Sequence, residues 1–190
     1  MHSRRFLITG TGARVGKTTV GCALGFAMRA RGMRVAVMKP IDTSESQDAQ
    51  ALALAVGSVM PMELVCPYRG SSTLDLAHVA RCFGEIAGQS DVVLVESANM
   101  IDFADLAAML GLEVIVVVGN RPGCIDATTL ALRRCASRGL KVAGGILCDC
   151  DPTTEIDEAS LQDLSGVLYL GRMRHREPLA RTIVEKLIPY

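Results

Sequence analysis

The sequence predicts an α/β domain: one mostly parallel sheet with helices on both faces. Two observations predict it. Short runs of Val, Ile and Leu alternate with longer helical windows along the chain, the signature of strand–helix–strand units. The short runs are also apolar at nearly every position rather than at every second one, as strands covered on both faces must be. A length of 190 residues suits a single domain over 1–190 with one sizeable core.

The elements follow in order. Residues 6–10 form an apolar strand that runs into a glycine-rich turn, and 16–31 form a helix closed by Gly32. A strand over 34–39 stops at Pro40, which cannot continue a ladder. Residues 46–56 are helical, with Asp48 in the first turn where the helix dipole favours a carboxylate. Helix 73–87, strand 91–96, short helix 103–110 and the nearly all-apolar strand 113–119 come next. Helix 125–138, strand 142–147, helix 157–164, strand 167–170 and helix 177–187 complete the chain. In such sheets ligands sit at the carboxyl ends of the strands, here just after Gly10, Lys39, Glu96, Gly119 and Cys148.

Composition excludes several functions. Lys plus Arg equals Asp plus Glu at 20 each, so there is no electrostatic case for nucleic acid or an anionic membrane. Trp is absent and aromatics are 4%, leaving few platforms for stacking bases. No apolar run approaches the ~20 residues of a bilayer crossing. The start, Met1-His2-Ser3-Arg4-Arg5, passes at once into a strand, unlike a secretory or transit peptide. Cys22, Cys82 and Cys135 fall in apolar helical stretches and read as core residues of a reducing cytoplasm. Cys148 and Cys150 find no second pair to complete a zinc pattern.

The chemistry lies in the first turn, FLITGTGARVGKTT from Phe6 to Thr19. Glycine lets the backbone curl so that successive N–H groups at Gly12, Ala13, Arg14, Val15, Gly16, Lys17, Thr18 and Thr19 face phosphate oxygens. The helix that begins there adds the positive end of its dipole. Lys17 reaches the β- and γ-phosphates, and Thr18 offers a hydroxyl to Mg²⁺. This is a P-loop NTPase fold with a loop one residue longer than the common form. A Rossmann reading fails because the glycine spacing has one residue too many and leaves Lys17-Thr18 without a role. Glu96, ending a buried strand beside the loop strand, is the metal-side acid, and Asp48 is a second candidate. Lys39 ends the second strand facing the same crevice and suits transferring phosphoryl charge.

These residues resemble, in order, the motifs of the dethiobiotin synthetases. GTGARVGKTT is similar to that family's GTDTxVGKT, with the same long glycine spacing. Val37-Met38-Lys39-Pro40, Gln47-Asp48-Ala49, Cys66-Pro67-Tyr68, Ala77-His78-Val79-Ala80, Val95-Glu96 and Gly123-Cys124-Ile125 match further family segments. The resemblance implies an ATP- and Mg²⁺-dependent ligase that captures CO₂ on a diamino acid, 7,8-diaminopelargonate, and closes a ureido ring in biotin biosynthesis. It implies that Thr18, Asp48 and Glu96 hold Mg²⁺ and that Lys17 and Lys39 contact phosphate and carbamate. It places Thr43 beside the substrate, and the N–H groups of Gly123, Cys124 and Ile125 on the substrate carboxylate across a homodimer interface. Cys148 and Asp149 stand where the family reads the adenine base.

The departures cluster on the substrate and base sides. Gly12, Ala13 and Arg14 replace an Asp, a Thr and an acid; Ser97, Ala98, Asn99 and Met100 replace a glycine-rich run; Asp126 replaces a neutral Asn. Cys148 lacks the paired donor and acceptor of an amide, whereas Asp149 still accepts. The basic stretch from Gly171 to Pro178 reads as a solvated loop. Two other functions stay open at this point: an amide ligase related to cobyrinate synthases, and a nucleotide-binding regulatory module without a substrate pocket. The partition ATPases of the ParA and MinD type carry a signature lysine where this chain has Thr11 and Gly12, which argues against them.

Overall fold

A computed structural model describes residues 3–42, 47–70, 74–97, 102–149, 167–174, 177, 179 and 181–189. The expected helix over 157–164 lies outside them.

The first half runs β1 (Arg4–Gly10), α1 (Lys17–Ala30), β2 (Val35–Met38), β3 (Ile41–Asp42), α2 (Asp48–Ala55), α3 (Met62–Val65), β4 (Tyr68–Arg69) and α4 (Leu76–Ala87). The second runs β5 (Val92–Glu96), α5 (Phe103–Leu110), β6 (Glu113–Gly119), α6 (Cys124–Ser137), β7 (Val142–Cys148), β8 (Tyr169–Met173) and α7 (Arg181–Leu187). Six strands form one sheet in the order β2-β5-β1-β6-β7-β8, and every described pair in it is parallel. A separate two-strand parallel pair, β3 with β4, escaped the sequence reading. Two-residue strands carry no period to detect.

Alternate side chains of each strand enter opposite cores. In β6, Val114, Val116 and Val118 pack with α4, α5 and α6. Ile115 and Val117 face the other way, against α1, α2 and α7. In β1, Leu7 joins the first core while Phe6 and Ile8 join the second. Burying each such side chain contributes about 1.5–3 kcal/mol, which is why these strands read as continuous apolar runs.

Local chemistry sets the helix starts. Asp75 caps α4, its side chain accepting from Ala77 N at 2.8 Å. Asp102 caps α5 by accepting from Ala104 N and Asp105 N, and Arg134 of α6 pairs with the same carboxylate at 2.6 Å. Helix α7 starts at Arg181 rather than 177, and β8 runs to Met173 rather than stopping at 170. Among the described residues no helix is long and apolar enough to cross a membrane. Cys82 and Cys135 are buried as expected, whereas Cys22 is only half-buried.

Candidate nucleotide and metal site

The parallel sheet brings the carboxyl ends of β1, β2, β5, β6 and β7 to one edge. At its centre β1 leads into the glycine loop, flanked by β5 on one side and β6 on the other. The loop is pinned to both neighbours. Ser97 N donates to Ile8 O at 2.9 Å, Thr11 N donates to Val117 O at 3.0 Å, and Gly119 N donates to Thr11 Oγ1 at 3.2 Å.

The loop turns into α1 at Gly16, which takes the left-handed conformation at φ 91° as the residue before the helix. A Cβ there would lie 2.5 Å from Cys148 Sγ. Glycine is thus required twice, for its backbone angle and for its lack of a side chain. Gly16→Ala should cost about 1–3 kcal/mol in strain alone, lowering the melting temperature by roughly 2–12 °C for a chain of this size. Thermal unfolding of the ligand-free protein checks this; an unchanged midpoint would show that the turn can relax. Arg14 is the one non-glycine described at positive φ, at 53°.

Beneath the loop the expected acid, hydroxyl and lysine meet. Thr18 Oγ1 donates to Glu96 Oε1 at 3.1 Å. Lys39 Nζ donates to the same Oε1 at 2.5 Å and to Asp48 Oδ2 at 2.7 Å, with Asp42 Oδ1 at 3.9 Å. Glu96 is 1% exposed, and its second oxygen, Oε2, is buried with no hydrogen-bond partner. Burial raises the Glu96 pKa against the opposing pull of Lys39. Burial works against the Lys39 charge, but the carboxylates of Glu96 and Asp48 outweigh it and its pKa is raised. Burial lowers the Lys17 pKa; Glu96 opposes this, and the like charge of Lys39 adds to it. Lys17 Nζ rests on Gly12 O at 3.4 Å.

An orphaned carboxylate oxygen, a hydroxyl and a second carboxylate suit a hard divalent cation with oxygen ligands. Among the described residues no three His, Cys, Asp or Glu side chains form a ready-made metal cluster. Mg²⁺ sites completed by substrate phosphates and water need only one or two carboxylates. Thr43 lies outside the described residues, as do 98–100 of the altered segment after Glu96.

The base-side residues are engaged differently from expectation. Cys148 is 5% exposed and packs under Gly16, so its side chain props the loop instead of presenting a polar group. Asp149 is already paired: Asn120 Nδ2 donates to Oδ1 at 2.7 Å, and Arg172 Nε donates to both oxygens at 3.0 Å. Arg172 therefore lies in β8 within an ion pair rather than in a solvated loop, because the strand continues past 170. At α6, Cys124 N already donates to Arg121 O at 3.1 Å. Of the three amides expected to cradle an anion at Gly123, Cys124 and Ile125, that of Cys124 is thus already engaged.

Sequence reasoning missed Asp42, Asn120, Arg121 and Arg172. Asp42, 2% exposed, accepts from Ala49 N at 3.0 Å and fixes the start of α2, which carries Asp48. Asn120 is fully buried one residue past β6. A polar residue closing an apolar strand at the ligand edge was the available signal. A groove of about 860 Å³ also runs along α1 against α7, past Thr19, Cys22, Phe26 and Leu179. Among the described residues its charged lining groups are Arg31 and Arg181. Burial pushes the Cys22 thiol up to about 11, which makes it a poor nucleophile at neutral pH.

Comparison with known proteins fits this geometry. A family model described as an AAA domain matches residues 4–182. An ATP-dependent dethiobiotin synthetase BioD from Anaeromyxobacter dehalogenans (strain 2CP-C) is 34% identical over 206 residues, covering 93% of this chain and 88% of the relative. One from Janthinobacterium sp. (strain Marseille) is 32% identical over 200 residues, covering 86% and 85%. The chain belongs to the dethiobiotin synthetase family. Its fold is shared more widely. The MinC:MinD cell division complex of Aquifex aeolicus superposes with a TM-score of 0.69 at 16% identity, over 97% of this chain and 86% of that one. A ParA family ATPase of Chlorobium tepidum gives 0.65 at 15%, over 97% and 89%. At those identities the match establishes the P-loop fold alone.

Proposed function

We propose that this chain is an ATP- and Mg²⁺-dependent ligase that carboxylates 7,8-diaminopelargonate with CO₂ and closes the ureido ring of dethiobiotin. The observation that carries this reading is the convergence of Thr18, Lys39, Asp48 and Glu96 beneath a glycine loop. The names of the relatives support ATP as the energy source and dethiobiotin as the product, and the diamino acid is the substrate that the resemblance implies.

The roles follow from position. Loop amides from Gly12 to Thr19 hold the phosphates, and Lys17 neutralises the β- and γ-oxygens. Thr18, Glu96 and Asp48 are the metal ligands; bound there, Mg²⁺ would supply positive charge to the phosphate oxygens. Lys39 sits on the same point and stabilises the carbamate and the transferring phosphoryl group. One substrate amine adds to CO₂, forming an N–C bond and releasing a proton. A carbamate oxygen attacks the γ-phosphorus, the bond to the bridging oxygen breaks, and ADP leaves. The second amine attacks the carbonyl carbon and gives up a proton, and inorganic phosphate departs with the C–O electron pair as the ring closes. The amides of Gly123 and Ile125 at the start of α6 receive the substrate carboxylate. Thr43 beside the substrate, a homodimer completing the pocket, and a cytoplasmic location belong to the same proposal.

Incubation with ATP, Mg²⁺, bicarbonate and diaminopelargonate should give dethiobiotin by mass spectrometry, with one ADP per product. Normal ATP binding without dethiobiotin would overturn the substrate assignment and leave the nucleotide site standing.

A further inference from the structure

The guanidinium of Arg121 lies over the outer half of the glycine loop. Its Nη1 donates to Ala13 O at a long 3.4 Å. A Cβ at Gly12 would overlap its Nη2, so the loop makes room for this side chain. The backbone beneath it is held on both sides. Asn120 is fully buried, with its N–H on Cys148 O at 2.8 Å and its amide on Asp149. On the other side, Arg121 O accepts from Cys124 N at the head of α6. The side chain itself is exposed.

The charges around the loop give this position its meaning. Lys39 is matched by Asp48 and Glu96. Arg121 has no carboxylate within ion-pair distance among the described residues, and one long bond to a carbonyl satisfies little of its five-donor fork. Lys17 likewise rests on a loop carbonyl at 3.4 Å. Two cations thus stand on the loop's own oxygens. A guanidinium in that state gains most by exchanging a neutral carbonyl for a doubly charged phosphate, which it can grip through two N–H groups.

We propose that Arg121 moves from Ala13 O onto the terminal phosphate of the bound nucleotide and sets the preference for a triphosphate over a diphosphate. The proposal rests on the loop being the nucleotide site. Lys17 rises from the start of α1 and bridges the β- and γ-oxygens, whereas Arg121 reaches in from the β6–α6 connection and adds its charge to the γ-phosphate alone. It therefore links the γ-phosphate to the helix head where the substrate carboxylate is placed.

The test is a set of titrations of the full chain with Mg²⁺ and either ADP or the non-hydrolysable β,γ-imido analogue of ATP. Arg121→Ala should weaken the triphosphate analogue by roughly 10- to 100-fold, the scale of a lost hydrogen-bonded charge contact. ADP affinity should change less than about twofold, and Arg121→Lys should recover part of the loss by keeping the charge. Equal losses for both nucleotides, or a lowered melting temperature of the ligand-free variant, would make Arg121 a brace for the loop and overturn the proposal. Unchanged affinity for both, with a raised KM for the diamino acid, would place it on the substrate carboxylate instead, also against the proposal. Lys17→Ala separates the two levels. If it leaves both nucleotides bound at wild-type affinity, the loop reading itself fails.

Discussion

Replacing Lys17 by alanine is expected to weaken triphosphate binding at least about 100-fold while leaving the fold intact. Hydrogen bonds to charged groups are worth about 1.5–3 kcal/mol each, and Lys17 is placed to make two, to β- and γ-phosphate oxygens. In the ligand-free protein its ammonium makes one long contact to Gly12 O and is lowered in pKa by burial. Removing it therefore takes away a desolvated cation that also repels Lys39, and costs the folded state little. Calorimetric titration with the imido analogue measures the first effect and thermal unfolding the second. Unchanged affinity would exclude the loop as the nucleotide site. A collapse of the fold would mean that the lysine is structural.

Lys39→Met should destabilise the ligand-free protein by about 2–4 kcal/mol at pH 8, because it strands a buried carboxylate. That corresponds to a drop of roughly 4–16 °C in melting temperature. The wild-type ammonium has a raised pKa. Its contribution is therefore fully present below the ordinary lysine value of about 10.4 and is lost only as pH rises through the higher folded value. The variant behaves in the opposite sense. Burial already raises the Glu96 pKa, and loss of Lys39 raises it further. Folded Glu96 then holds a proton in a range where the unfolded chain, with an ordinary value near about 4.3, has released it. The variant should gain stability as pH falls from about 8 to 5, and the gap to wild type should narrow. Denaturant melts across that range measure it. A gap that stays constant with pH would show that Glu96 does not feel Lys39. Activity should also fall steeply, since the group proposed to stabilise the carbamate is gone.

Elements with strong local signals were legible to the residue. The helix Phe103–Leu110 and the strand Glu113–Gly119 are bounded in the sequence as they are in the fold. Both are apolar blocks with a polar residue or glycine at each end. Boundaries slipped where a cap or a register decided them. Helix α4 begins after the Asp75 cap, not at 73, and β8 runs through Arg172 because it pairs with β7 as far as Cys148. In the site, Lys17, Thr18, Lys39 and Glu96 were readable because each sits at a strand end or in the glycine motif. For Asp48 the local pattern shows only an early-turn acid, and its reading as a metal ligand comes from the family resemblance, since nothing local separates that role from a dipole partner. Asp149 was expected to face a nucleotide, yet its carboxylate is taken by Asn120 and Arg172, 29 and 23 residues away.

By itself the sequence determined the alternation of buried strands and helices, the phosphate loop after the first strand and the family to which the chain belongs. Those depend on the backbone freedom of glycine and on the burial of short apolar runs, both of which are encoded within a few consecutive residues. Only the tertiary structure decided that one ammonium, from Lys39, joins Glu96 to Asp48, that Cys148 props the loop at Gly16, and that Arg121 lies across Gly12. These contacts join residues up to 132 positions apart, from Gly16 to Cys148. Their partners are chosen by the strand order β2-β5-β1-β6-β7 and by the electrostatics of a buried edge, which no local stretch of sequence specifies.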